Sequence, residues 1–386
     1  MAAREVYLDN AATTRVDARV VEAMRTHWGD AFGNPSSLHR RGVEAARAVL
    51  ASRRVFAEYF RADPSGVVFT SGGTEADCLA VLGFGRRARH VVVSAVEHPA
   101  VLRSVEVLEH AGVRVDRIAV DREGRVDVGA FAAAVGPDTG LCSIIHVQNE
   151  IGTIEPVAEI AQAVKARNPR AIVHVDAVQS FTKIPFPLEP AIDAVSVSSH
   201  KIHGPMGVGA LVVRGARRPE PVLLGGGQEA GLRSGTENVP GIVGFGVAAE
   251  IGLRAMTEGA GRMAALRDRL WARLKAGLPD AELNGPTGDA RAPHNLSVSV
   301  GGVPGETVLH ALEAEGVFVS TGSACRAKKT GLSPVLRAIG KREGIVEATI
   351  RFTLCRTTTE DEVERAGDLF VRVVNQKRAV LSGVAR

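Results

Sequence analysis

Ser198-Ser199-His200-Lys201 follows the alternating, β-branched run Val195-Ser196-Val197, and His203-Gly204-Pro205 turns the chain just beyond it. A lysine pinned at a strand end, beside hydroxyls and an imidazole, suits a Schiff base to an aldehyde. Desolvation and neighbouring groups lower an ammonium pKa and free the nucleophilic amine. Asp176 ends a second apolar run, Ala171 to Val175. A carboxylate there can pair with a pyridinium nitrogen, and lysine plus acid is what pyridoxal 5'-phosphate chemistry requires. Taken singly, Lys201 reads equally as a surface lysine and Asp176 as a helix cap.

Other residues fit the same chemistry. Ser71-Gly72-Gly73-Thr74-Glu75 follows a strand-like run and opens a helical one, so backbone N–H groups, the helix N-terminus and the Thr74 hydroxyl form a phosphate cradle, or else a plain tight turn. His98, after another strand end, can lie against a planar ring and shuttle protons, with an ordinary imidazole pKa near the working pH. Gln179 can donate to a ring oxygen or sit on a helix surface. Arg351, on the alternating strand Thr349 to Thr353, needs a partner, either a bidentate substrate carboxylate or a structural salt bridge. Cys325 has small residues before it (Gly322-Ser323-Ala324) and cations after it (Arg326, Lys328, Lys329). An exposed, electropositive setting of that kind favours the reactive thiolate.

The elements that must position these groups alternate. From about residue 16 to 252, β-branched runs and helical stretches follow one another, the signature of an α/β fold around a mostly parallel sheet. Expected strands are 67–70, 91–94, 142–146, 172–176, 194–198 and 209–213; expected helices are 37–58, 74–82, 157–166 and 240–256. Ser71, His98, Asn149, Asp176 and Ser198 fall at or just past strand ends, where ligands collect in such sheets. Residues 253–386, with the first 15, form the expected smaller α+β domain carrying the Cys325 loop. The chain has no internal repeat and no long linker.

Composition narrows the class. The 386 residues are 45% hydrophobic and 23% charged, with a net charge of +4 and no long basic run, so direct nucleic-acid binding is not expected. The sequence shows no uninterrupted apolar run of roughly 18 residues and no secretory pattern, which points to a cytoplasmic protein away from membranes. Cys78, Cys142, Cys325 and Cys355 form no CxxC pair and no metal-ligand spacing, so reduced thiols and no metal are expected.

These motifs together resemble the NifS/IscS-type cysteine desulfurases of the class V aminotransferase group, which have the pyridoxal phosphate fold-type I. The resemblance runs almost end to end: 7–14, Gly33-Asn34-Pro35-Ser36-Ser37, 70–75, Glu97-His98, 148–152, 174–179, 198–201, 225–229, 233–236, Gly322 to Cys325 and 350–352. It implies that Lys201 carries the cofactor, Asp176 pairs with its ring nitrogen, Gln179 contacts its ring hydroxyl and His98 stacks on the ring. Gly73, Thr74, Ser198 and His200 would hold the phosphate, joined by Thr236 from the second subunit of a homodimer. Asn149 and Arg351, with Asn34 nearby, would bind the substrate carboxylate. Cys325 would accept sulfur from L-cysteine as a persulfide, releasing L-alanine and passing sulfur to an acceptor protein for iron–sulfur cluster assembly or tRNA or DNA thiolation. Where the common housekeeping members have small polar residues after the cysteine, this chain has Arg326-Ala327-Lys328-Lys329. That stretch resembles desulfurases serving a dedicated acceptor, such as tRNA 4-thiouridine synthesis. Selenocysteine lyase activity and a non-catalytic basic scaffold for a sulfur-relay partner are the alternatives.

Overall fold

The computed structural model describes residues 5–321 and 332–383. Thirteen strands run in chain order: β1 Val6–Tyr7, β2 Val67–Thr70, β3 His90–Ser94, β4 Arg114–Ile118, β5 Thr139–Ile145, β6 Ile172–Asp176, β7 Ala194–Ser198, β8 Gly209–Val213, β9 Glu282–Leu283, β10 Asn295–Ser299, β11 Val317–Phe318, β12 Ser320–Thr321 and β13 Thr349–Thr353. The helices are α1 Ala18–Trp28, α2 Arg40–Phe60, α3 Gly73–Gly85, α4 Pro99–His110, α5 Val128–Ala134, α6 Val157–Arg167, α7 Val239–Gly277, α8 Gly305–Glu313, α9 Pro334–Ala338, α10 Glu343–Glu347 and α11 Glu360–Leu381.

Seven strands form the central sheet in the order β2-β8-β7-β6-β5-β3-β4. The expected mostly parallel α/β sheet is present, and β8 is its antiparallel member, pairing both β2 and β7 in that sense. Strands β6, β7 and β8 are buried along their whole length; β8 is apolar throughout, and the polar His174 of β6 and Ser196 of β7 bond each other at 2.8 Å. Edge strand β4, Arg-Val-Asp-Arg-Ile, escapes sequence reading because its charges suit an exposed edge.

Two large apolar clusters lie on either side of α7's midpoint. Val239, Ile242, Phe245, Ala248 and Ala249 join the cluster around Phe56, Phe181 and Val195. Further on, Met263, Leu266, Leu270 and Leu274 join the cluster around Leu8, Phe352 and Phe370. The helix therefore runs unbroken through residue 252, where the sequence suggests a boundary. By length and composition α7 could cross a membrane, but half of its most apolar stretch is buried inside the protein. Beside the second cluster, β12-β13-β10-β9 form an antiparallel sheet.

Candidate active site

Because β3, β5, β6 and β7 are parallel, their carboxyl ends share one edge of the sheet. A cavity of about 440 Å³ opens there, lined by Gly73, Thr74, Asp77, Glu97, His98, Asn149, Asp176, Gln179, Ser198, His200, Lys201 and Arg351. All the expected cofactor residues but Thr236 thus face one space. Thr236 is exposed and outside it, and so is Asn34, whose Oδ1 accepts from the Ser36 N–H at 2.9 Å. Cys325 lies outside the described residues. The chain following it returns to the cavity through Pro334 and Val335 of α9. The Ser333 hydroxyl, which caps α9 through the Leu336 N–H, donates to Glu150 at 2.5 Å and ties α9 to the cavity wall.

Lys201 follows β7 on a short 3₁₀ turn, and its Nζ donates to the carbonyls of Ala11 and Ala12, each at 2.7 Å. Asp176 closes β6, with Oδ1 accepting from the Val178 N–H at 2.9 Å. Burial lifts Asp176 to about 6, opposed by that N–H and by Lys201. Asp77, also wholly buried, is pushed well above the carboxylate range by burial and then by the charge of Asp176. Of these two neighbours Asp77 keeps the proton, and Asp176 is the carboxylate at neutral pH.

His98 caps α4: Nδ1 accepts from the Ala100 N–H at 3.1 Å, leaving Nε2 to carry the proton. Burial, with the Lys201 charge behind it, holds His98 at about 4. The sequence suggests an imidazole titrating near the working pH; the structure instead holds a neutral one. His200 is likewise lowered to about 4, chiefly by burial. Gln179 donates to the Ala11 carbonyl at 3.0 Å and accepts from Lys183 Nζ at 3.1 Å. Lys183 is buried and was not apparent from sequence; its one signal is a position four residues after Gln179.

Of its two alternatives, Arg351 makes the structural salt bridge. Nη2 pairs with Asp9 at 2.9 Å and Nη1 donates to the Asn149 carbonyl at 2.9 Å, while the buried Nε has no acceptor. The phosphate cradle is also braced. Glu75 accepts from the Ser71 N–H at 2.7 Å and pairs with Arg233 at 2.8 Å, anchoring the loop that leads to Thr236. Glu229, at the end of the glycine run, takes a bidentate pair from Arg53 at 2.7 and 2.9 Å.

The site fits a phosphorylated pyridine aldehyde. The Ser198 hydroxyl is buried without a partner among the described residues, close to Gly73 at the N-terminal end of α3. A Cβ on Gly73 would come within 2.7 Å of Val178 and 3.4 Å of Ser198, so glycine keeps the cradle open for an anion. A buried carboxylate and a lysine amine complete the donor set.

Comparison with known proteins agrees with this geometry. The family model described as aminotransferase class-V matches residues 6–366. A cysteine desulfurase of Trichormus azollae is 42% identical over 379 residues, covering 97% of this chain and 94% of the relative. Among solved structures, a NifS-like protein superposes with a TM-score of 0.89 at 38% identity, covering 97% of this chain and 100% of that one. A structure titled SspA in complex with cysteine gives 0.79 at 32% identity, covering 92% and 100%. The family model and these relatives match nearly the whole length, and the chain belongs to the class-V aminotransferase family, in its pyridoxal-phosphate-dependent cysteine desulfurase branch.

Proposed function

We propose that this protein is an L-cysteine desulfurase in which Lys201 holds pyridoxal phosphate and Cys325 receives the sulfur, leaving L-alanine. The observation that carries the reading is the convergence of Lys201, Asp176, His98, Gln179 and the unpartnered Ser198 hydroxyl on one cavity. When bound, pyridoxal phosphate supplies an aldehyde that condenses with amines and a ring that withdraws electrons from the substrate Cα.

Gly73, Thr74, Ser198 and His200 hold the phosphate, with Thr236 of a second subunit. Asp176 would face the ring nitrogen as a carboxylate, and Gln179, its oxygen held by Lys183 and one N–H by the Ala11 carbonyl, would offer its remaining N–H to the ring hydroxyl. His98 packs its neutral imidazole on the ring. Arg351 and Asn149 orient the substrate carboxylate, the Arg351 Nε–H having no acceptor among the described residues; Asn34, exposed outside the cavity, is the further residue assigned to the substrate. Lys201, displaced by the substrate amine, takes the Cα proton at Nζ. His98, whose Nε2–H faces the cavity, is the second proton carrier. The Cys325 thiolate then forms the S–S bond as the substrate Cβ–S bond breaks, so no free sulfide is released.

The assembly is a homodimer. Its support is the exposed apolar set Trp28, Phe32, Leu38, Met206 and Leu224, together with the exposure of Thr236. The large domain takes residues 16–252 and the small one the first 15 and 253–386. The Cys325 persulfide is delivered in the cytoplasm to an acceptor protein, a scaffold for iron–sulfur assembly or a tRNA- or DNA-thiolating enzyme. Incubation with L-cysteine tests the reaction: alanine must form mole for mole with cysteine consumed, with a thiol present to regenerate Cys325. Pyruvate in place of alanine contradicts it.

A further inference from the structure

The stretch of chain that carries Cys325 is tied at both ends to the residues assigned to the substrate carboxylate. Cys325 comes four residues after Thr321 and eight before Ser333. At the near end β12 pairs antiparallel with β13, and Ser320 stands opposite Arg351 in the register. At the far end the Ser333 hydroxyl donates to Oε2 of Glu150, the residue after Asn149, at 2.5 Å. The two ties meet, because Arg351 Nη1 donates to the Asn149 carbonyl at 2.9 Å. Contacts thus run without a break from Ser320 through Arg351, Asn149 and Glu150 to Ser333.

The far tie is supported on both sides. Glu150 and Ser333 are buried, and 2.5 Å is the length of a hydroxyl-to-carboxylate hydrogen bond, a strong class. Gln148 fixes the turn that presents Glu150: its Oε1 accepts from the Glu150 and Ile151 N–H groups at 2.6 and 3.1 Å. Gln148 Nε2 donates to the Val96 carbonyl at 3.2 Å, two residues before His98. Beyond Ser333, the side chains of Val335, Leu336 and Ile339 pack with Val96 and Ile151. Apolar burial is non-directional, so that packing alone leaves α9 free to slide. A hydrogen bond to one oxygen sets where its first residue sits. Glu150 also lines the cavity beside Asn149, yet a carboxylate repels a substrate carboxylate and is no ligand for it. Its contact with Ser333 gives it another task.

We propose that Glu150 and Ser333 are positioning residues for sulfur transfer, fixing the far end of the Cys325-bearing stretch to the wall that holds the substrate carboxylate. The inference rests on the desulfurase reading. A thiol whose chain is held at both ends has a higher effective concentration at the substrate sulfur than one held at a single end. Ser333 acts through Glu150 and through the chain leading to Cys325, so its hydroxyl governs the transfer step rather than the binding of L-cysteine.

The test uses the full-length cofactor-loaded protein mixed with L-cysteine. The half-saturating concentration is read from the change in cofactor absorbance, and the rate of sulfur gain on the Cys325 peptide from quenched samples by mass spectrometry. Ser333→Ala and Glu150→Met should each slow sulfur gain roughly tenfold, the loss of one hydrogen bond to a charged group. In Ser333→Ala the half-saturating concentration should stay within about twofold of wild type. The double variant should be no slower than either single one, because both remove the same contact. Ser333→Thr, which keeps the hydroxyl and the cap of α9, should restore most of the rate. Retained cofactor absorbance shows that each variant is folded. Losses that multiply in the double variant overturn the proposal, since Ser333 would then serve only as a helix cap. So does Ser333→Ala at the wild-type rate, or a loss confined to the half-saturating concentration. Wild-type protein that leaves Cys325 unmodified overturns the desulfurase reading itself, and this inference with it.

Discussion

Lys183 Nζ lies 3.1 Å from Oε1 of Gln179, and both side chains are buried beside the Lys201 cavity. The contact fixes which end of the amide faces the cofactor. Lys183→Met removes it at similar volume. A hydrogen bond from a charged donor is worth about 1.5 kcal/mol or more, so cofactor binding should weaken roughly tenfold. The cofactor absorbance band should shift as well, which a merely structural residue would not cause. Burial, and then the Lys201 charge, lower Lys183 to about 7. Between that value and about 10.4 the unfolded chain binds more protons, so this residue makes stability rise with pH across the window. Denaturant titrations at several pH values should lose that slope in Lys183→Met.

Ser198 presents the opposite case. Its buried hydroxyl has no partner in the described residues, so Ser198→Ala removes an unsatisfied group and leaves apo-protein stability unchanged or slightly higher. Cofactor affinity should nevertheless fall about tenfold, one hydrogen bond to a charged phosphate. Thermal melting with and without pyridoxal phosphate separates the two effects.

Arg351 serves the protein with two nitrogens, and its role toward the substrate carboxylate is the proposed one. Arg351→Lys keeps the charge beside Asp9 but loses the planar fork. Steady-state kinetics should show KM for L-cysteine raised about tenfold, an effect of about 1.4 kcal/mol, with kcat changed less. Equal losses in both would place Arg351 in the chemical step instead.

The acid limb of cofactor binding should follow Asp176. Its folded-state pKa is raised, to about 6, so the carboxylate that meets the ring nitrogen is lost as pH falls through that value. Cofactor affinity, measured by equilibrium dialysis, should drop below about pH 6. His98 and His200, already neutral above about 4, contribute no change near 6.5.

Much of this arrangement was legible in the residues. Polar groups after apolar runs mark strand ends, and parallel strands bring those ends together; hence Asp176, His98 and Lys201 were readable before any coordinates. Residues acting through distant partners were not. Lys183 looks like a surface lysine until the fold buries it. Nor does any local signal show that α7 continues past residue 256, the end of the expected helix, to Gly277. Asn34 and Thr236 are exposed in a single chain, and only for Thr236 does the proposed homodimer supply a place, in a second subunit's cavity.

The sulfur itself gives the most direct test of the central claim. After a brief exposure to L-cysteine without added thiol, the peptide bearing Cys325 should gain the mass of one sulfur atom. Lys201→Ala, loaded with pyridoxal phosphate, should leave that peptide unchanged. A persulfide that forms equally well without the Lys201 amine, or alanine produced while Cys325 stays unmodified and replaceable by alanine, would contradict the account.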